Sequence, residues 1–267
     1  MNSNIEKQLA LQPKTWIRVV ASLIVLTILV IPSIMQLGMP EINEKSFVVI
    51  QDIFDGFFNP DLDLMFDFTK KGLAYMLLET AAITFLGTII GAVIALPLAF
   101  LSSRNMTGKI MGEIGGFIIT VFRTFPVFVY AIMFIRVVGL GPFAGVLTIS
   151  VSSIGMLSKL FVESIEDMDR GIVESVEAIG LTNYQKFKYS IFPQLKTNFI
   201  SIIIYRYDIN IKNASILGIV GAGGIGAPIQ FALGSNNWDA IGAILIGLII
   251  LVLLIDWIST RIRKKLA

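Results

Sequence analysis

Neither cysteine nor histidine occurs in the 267 residues of this chain. Without cysteine there is no disulfide, no thiolate nucleophile and no cysteine-built zinc site. Without histidine, haem ligation through imidazole, histidine–metal centres and imidazole general bases go too. Charge is also scarce: 15% of residues are charged and 55% hydrophobic, against about 25% and about 45–50% in soluble domains. The mean hydropathy is +0.81. A net charge of +2 is too small for a nucleic-acid footprint. The apolar surplus needs lipid as its solvent, and no metal or cofactor is expected.

Long gaps between charges mark six spans of about 20 residues, the length that crosses a bilayer as helix. They are residues 19–40, 73–103 with Glu79, 114–135 with Arg123, 137–158, 197–220 with Arg206, Asp208 and Lys212, and 240–255. Pro142 suits the first turn of the fourth helix, and Trp238 and Trp257 suit the interfaces around the sixth. The first apolar run is longer than a signal peptide's and lacks a small-residue cleavage pattern, so it reads as a span. The fold class is therefore all-α, a polytopic membrane bundle of six transmembrane helices.

Positive residues orient it. Residues 1–18, 102–113, 159–196 and 257–267 hold fourteen of the 21 Lys and Arg, Lys7, Lys14 and Arg18 among them; the opposite side has Lys45, Lys70, Lys71 and Arg136. Both termini are expected in the cytoplasm of a bacterial cell. The first external loop is acidic, with Glu41, Glu44, Asp52, Asp55, Asp61, Asp63 and Asp67. It reads equally as a solvated connector or a docking surface.

Gly221, Gly223, Gly224 and Gly226 fit G-x-G-x-x-G, but an apolar helix precedes them, Pro228 follows and no acid appears before Asp239. Dinucleotide binding is rejected, and the stretch reads as a flexible turn at the outer end of the fifth span. No P-loop motif occurs. Gly87 and Gly91, spaced as GxxxG, read as close helix packing. Arg123 lies roughly 15 Å into the third span at 1.5 Å per residue. A charge at that depth faces protein or water, either as a tie to carbonyls or to Glu79 or as part of a pathway. On the fifth span Asp208 precedes Lys212 by four residues, a favourable pair. Arg206 and Asn210 form a polar stripe beside it, either substrate path or dimer packing. Arg206 is the freer cation, and its planar fork suits an oxyanion.

The segment 159–196 reads as two short helices. Asp169 caps the first, Gly180 ends it in left-handed geometry, Thr182 and Gln185 form a capping box for the second, and Pro193 breaks the chain before the fifth span. Glu174, Gly180 and Pro193 fall in the register of the EAA loop of ATP-binding-cassette importer permeases. Ser175, Val176, Ser190 and Phe192 depart from its usual small and aliphatic positions. Further stretches are similar to the phosphonate-uptake permease family: Phe122-Arg-Thr-Phe-Pro126, the run 139–145, Tyr205-Arg206 with Asn210-Ile-Lys212, and the run 220–226. Methionine permeases look similar in the last of these. The resemblance runs from about Gly72 to the end.

The resemblance implies a type I importer permease without a catalytic site, with an EAA-like coupling loop at about 163–193. It implies a dimer of permease copies, ATPase subunits on the cytoplasmic face, an external solute-binding protein, and phosphonate or a related phosphorus oxyanion as cargo. The expected layout is a first region 1–71, a permease domain 72–259 and a basic tail 260–267. A permease for an amino acid, an ATPase-independent transporter or channel, and a membrane-embedded enzyme are the other readings.

Overall fold

A computed structural model describes residues 15–36 and 44–266, and every regular element among them is helical. The tail with Lys7 and Lys14, the Pro40 end of the first expected span and Glu41 lie outside the described residues. The chain divides into two units, residues 1–50 and 51–267.

The first unit contains α1, Thr15–Gln36, about 33 Å long at 1.5 Å per residue. Its described side chains are all exposed. The hydroxyls of Ser22, Thr27 and Ser33 return to carbonyls of the preceding turn at 2.7–2.8 Å. A helix surrounded by hydrocarbon needs such internal satisfaction. The boundary between the units falls within α2, Glu44–Phe58. The acidic loop is thus largely helical, and continues into α3, Leu62–Phe66, capped by Asp61.

The second unit is built on α4, Leu73–Ser102, packed along α8, Pro142–Glu166. Gly87 and Gly91 make that approach possible. A Cβ at Gly87 would sit 2.6 Å from the Ile149 side chain, and one at Gly91 would sit 2.7 Å from the Ser150 carbonyl oxygen. Small residues let two backbones meet where lipid offers no hydrophobic drive. Ala92, Ala95 and Ala99 of α4 continue the seam to Leu157, Phe161 and Ile165 of α8.

Among the described residues four helices are long and apolar enough to cross a membrane: α1, α4, α8 and α13, the last running Trp238–Leu266. A broken pair makes up to five, and here the structure corrects the third expected span. Instead of one helix over 114–135, α6 (Lys109–Thr124) and α7 (Val127–Val138) meet at 81°. Pro126 forces Phe125 into extended geometry, φ −87° and ψ 129°, as the residue before proline prefers. The fourth helix starts at Pro142 as expected but runs past Lys159 to Glu166. The sixth continues through the basic tail to Leu266, with Arg261 lying 4.3 Å over the Trp257 ring.

The fifth expected span is α11, Phe192–Ile219. Its entry is a second correction. Pro193 does not break the chain: a short helix α10, Asn183–Lys186, leads through a π-helical turn, Phe187–Ile191, straight into α11. Pro193 follows directly on that turn, at the second residue of α11. The widened turn absorbs the ring without a kink out of helix. A further helix, α12 (Gly226–Gly234), follows the glycine stretch.

Candidate functional site

Two features carry the chemistry: an elbow at one end of the bundle and a buried polar seam in its middle.

The elbow begins where α8 ends. Asp169 accepts the Gly171 N–H at 2.8 Å and opens α9, Arg170–Ala178, while its own N–H donates to Gln194 Oε1 at the start of α11, 3.2 Å away. Gly180 has φ +80°, with nothing within 4 Å of where a Cβ would stand. Glycine is therefore favoured there by backbone geometry alone, since the space around it would admit a side chain. Thr182 and Gln185 close a reciprocal box: the Thr182 N–H donates to Gln185 Oε1 at 3.0 Å and the Gln185 N–H to Thr182 Oγ1 at 3.4 Å. Inward, Met168 and Val173 pack on the cluster of Ile165, Ile191 and Leu195. Outward, Glu174 is exposed, as are Ile179, Tyr184 and Tyr189. The elbow is a capped knuckle with an apolar crown.

The neighbouring loop is clamped to the same end of α8. Its short helix α5, Arg104–Thr107, donates the Arg104 N–H to Glu166 Oε1 at 3.0 Å and Asn105 Nδ2 to the Ile165 carbonyl at 2.8 Å.

In the seam, α11 turns Arg206 and Asn210 onto α8 and α4. Arg206 is 5% exposed. It donates from Nε to Ser153 Oγ at 3.1 Å, from Nη1 to Met156 Sδ at 2.9 Å and from Nη2 to the Ser152 carbonyl at 3.1 Å. Asn210 Nδ2 donates to Thr88 Oγ1 at 2.8 Å and to Ser153 Oγ at 2.9 Å. The two residues share one face as their spacing requires, yet the guanidinium fork is committed to α8. Lys212 pairs with Asp208 at 2.8 Å and lies 3.9 Å from Asp256 on α13; its side chain is 47% exposed, that of Asp208 only 7%. Of the two cations in the middle of α11, Lys212 is the open one and Arg206 the buried one. Asp208 Oδ1 and Asn210 Oδ1 are buried without a hydrogen-bond partner among the described residues.

Arg123 occupies the last turn of α6 and packs on α8. Its stem crosses Gly155, where a Cβ would stand 2.7 Å from Arg123 Cγ. Among the described residues no carboxylate, Glu79 included, pairs with it.

The glycine turn is tighter than its composition implied. Gly221, Gly223 and Gly224 have φ of +91°, +79° and +72°. The turn is held by the Gly141 N–H on the Gly221 carbonyl at 3.0 Å and by the Ile225 N–H on Thr80 Oγ1 at 2.8 Å. Gly226 lies on Gly218, where an added Cβ would stand 2.5 Å from its Cα. The turn is a packed joint between α11, α8 and α4.

Ser152, Ser153, Met156, Thr88 and Gly155 escaped sequence reasoning. The run Ser150-Val-Ser152-Ser153 inside an apolar span was the available signal, since buried hydroxyls there must serve a partner.

Long apolar helices around a polar seam, with a capped knuckle at one end, define a membrane transport subunit. The sequence profile described as binding-protein-dependent transport system inner membrane component matches residues 87–267, and the chain belongs to that family. The putative phosphite transport system permease protein HtxC of Stutzerimonas stutzeri is 33% identical over 207 residues, 77% of this chain and 72% of its own. The phosphite transport system permease protein PtxC of the same organism is 33% identical over 189 residues, 70% of this chain and 69% of its own. The phosphate-import permease protein PhnE of Mycolicibacterium smegmatis is 33% identical over 195 residues, 73% of this chain but 37% of its own. A solved structure of the MetNI methionine ABC transporter, described as inward facing, matches 73% of this chain and 96% of its own at TM-score 0.65 and 24% identity, which bears on fold alone.

The chain is therefore a permease subunit of an ATP-binding-cassette importer, a multi-pass protein of the cell membrane. It is not an enzyme: ATP hydrolysis belongs to a separate ATPase subunit, and a solute-binding protein is the other partner of such importers.

Proposed function

We propose that this permease moves phosphonate or a related phosphorus oxyanion into the cell, as one of two identical copies with an ATPase pair on the cytoplasmic face. The observation that carries the cargo is the 33% identity, over 70% or more of this chain, to relatives named for phosphite and phosphate. Relatives named for glycine betaine and D-methionine stand at 24% and 28%.

In this reading α11 is the fifth of six crossings, its charges tolerated because Arg206 and Asp208 are buried in protein. Both termini are cytoplasmic. Residues 1–71 form the first crossing with an acidic external region, 72–259 the permease domain, and 260–267 the basic end. Glu174, Gly180, Thr182, Gln185 and Pro193 frame the knuckle that the ATPase grips, with Ile179, Tyr184 and Tyr189 supplying the apolar contact. The pathway runs along α11. Lys212 and Asp208 face it, Arg206 and Asn210 brace its wall, Arg123 flanks it beside α8, and Gly221, Gly223, Gly224 and Gly226 form the joint at its outer end.

Reconstitution tests it. Proteoliposomes holding the permease, its ATPase and its binding protein should import phosphite or methylphosphonate on ATP addition. Import of an amino acid or betaine with no phosphorus oxyanion would overturn the cargo.

A further inference from the structure

A cavity of about 530 Å³ opens between α5, α6 and the last turns of α8, within the size range of small-ligand sites. Its charged lining is Arg104, Arg123 and Lys159 against Glu113 and Glu166. The two carboxylates are engaged at the mouth: Glu166 accepts the Arg104 N–H at 3.0 Å, and Glu113 lies 3.9 Å from the Arg104 guanidinium. Lys159 is 3.3 Å from Glu163. That leaves Arg123, exposed and with no ion pair or hydrogen bond among the described residues, as the uncompensated charge of the lining.

Arg123 stands ten residues beyond Glu113 along α6, about 15 Å at 1.5 Å per residue. A guanidinium in an apolar helix needs a polar surrounding, and the cavity that Arg123 lines supplies one. Its planar fork binds two oxygens of a tetrahedral anion at once. The cavity also touches the transport machinery, because Lys159, Val162 and Glu166 belong to the last turns of α8, directly before the knuckle. Any shift of the knuckle reshapes its wall.

We infer that this cavity is a second binding site, at the knuckle end of the permease, for a tetrahedral phosphorus oxyanion, with Arg123 as its anchoring cation and Arg104 and Lys159 as its rim. The inference rests on the proposed cargo class and orientation. The same chemistry is offered by free cargo leaving the pathway and by the headgroup of an anionic phospholipid.

The test is equilibrium binding of radiolabelled inorganic phosphate to the permease–ATPase complex in nanodiscs, without binding protein or nucleotide. In purely zwitterionic lipid, phosphate should bind saturably. Arg123→Gln should weaken binding about tenfold, the scale of one lost charge-assisted contact. Glu113→Gln should tighten it by removing a competing negative charge, a change that a merely structural role does not produce. Arg261→Gln, in the C-terminal end, should change nothing. Displacement of bound phosphate by added phosphatidylglycerol assigns the site to a headgroup in the membrane; retention assigns it to free anion. Absence of saturable binding at millimolar phosphate, or equal affinity in wild type, Arg123→Gln and Glu113→Gln, overturns the site. If Arg123→Gln fails to assemble, the direction of the Glu113→Gln effect decides. The cargo is judged separately by proteoliposome uptake. Phosphonate import with Arg123-insensitive binding sinks this site alone; Arg123-dependent binding with import of a different solute sinks the cargo alone.

Discussion

The Tyr130 hydroxyl donates to the Phe122 carbonyl at 3.0 Å. Phe122 is the residue whose carbonyl a helical Pro126 would leave without its N–H, since proline has none to give. One side chain of α7 thus satisfies the backbone of α6 across an 81° break. Tyr130→Phe should leave that carbonyl unsatisfied at a cost of about 1–3 kcal/mol. A lowered melting temperature in detergent, with the protein still inserted, is the expected result. An unchanged melting temperature would mean that water or lipid serves the carbonyl equally well.

The absence of native cysteine makes topology directly measurable. Asp61→Cys should react with a membrane-impermeant thiol reagent on intact spheroplasts, and Gly180→Cys should react only after lysis. The reverse pattern would overturn the orientation.

At Gly180 the backbone, with φ +80° and open space around it, sets a graded expectation. Valine in that geometry costs about 1–3 kcal/mol, whereas asparagine tolerates it. Gly180→Val should lose most ATP-driven uptake or release the ATPase, while Gly180→Asn should retain both. Equal uptake in the two variants would remove the knuckle from coupling.

Arg206 braces α11 on α8 through three different groups. Arg206→Lys keeps the charge but not the fork, so it should lower both thermal stability and uptake, the latter by about tenfold if one charge-assisted bond of about 1.4 kcal/mol is lost. Ser153→Ala removes an acceptor shared with Asn210 and should mimic it more weakly. Lost uptake with wild-type stability in Arg206→Lys would move the residue from the wall into direct contact with cargo.

Much of the local order was legible because its causes are local. Asp169, Gly180, Thr182 and Gln185 act over two or three residues, so their spacing alone predicted the caps found at the knuckle. Long charge-free runs likewise predicted helices, because a chain in lipid has no other way to satisfy its backbone.

Direction and partnership are different. Pro32 and Pro97 sit inside unbroken helices, and Pro193 sits in the first turn of α11. Pro126 alone of these divides a span. Hydropathy treats all four alike; what separates Pro126 is Tyr130 in reach of the freed carbonyl and α8 offering a surface to both limbs. Arg206 and Arg123 teach the same lesson. Each is a cation within an apolar run, so sequence by itself determined only that each must meet protein or water. Which one met the hydroxyls of α8 and which one met a cavity was decided by the tertiary structure, because the cost of a buried charge depends on partners that lie tens of residues away along the chain.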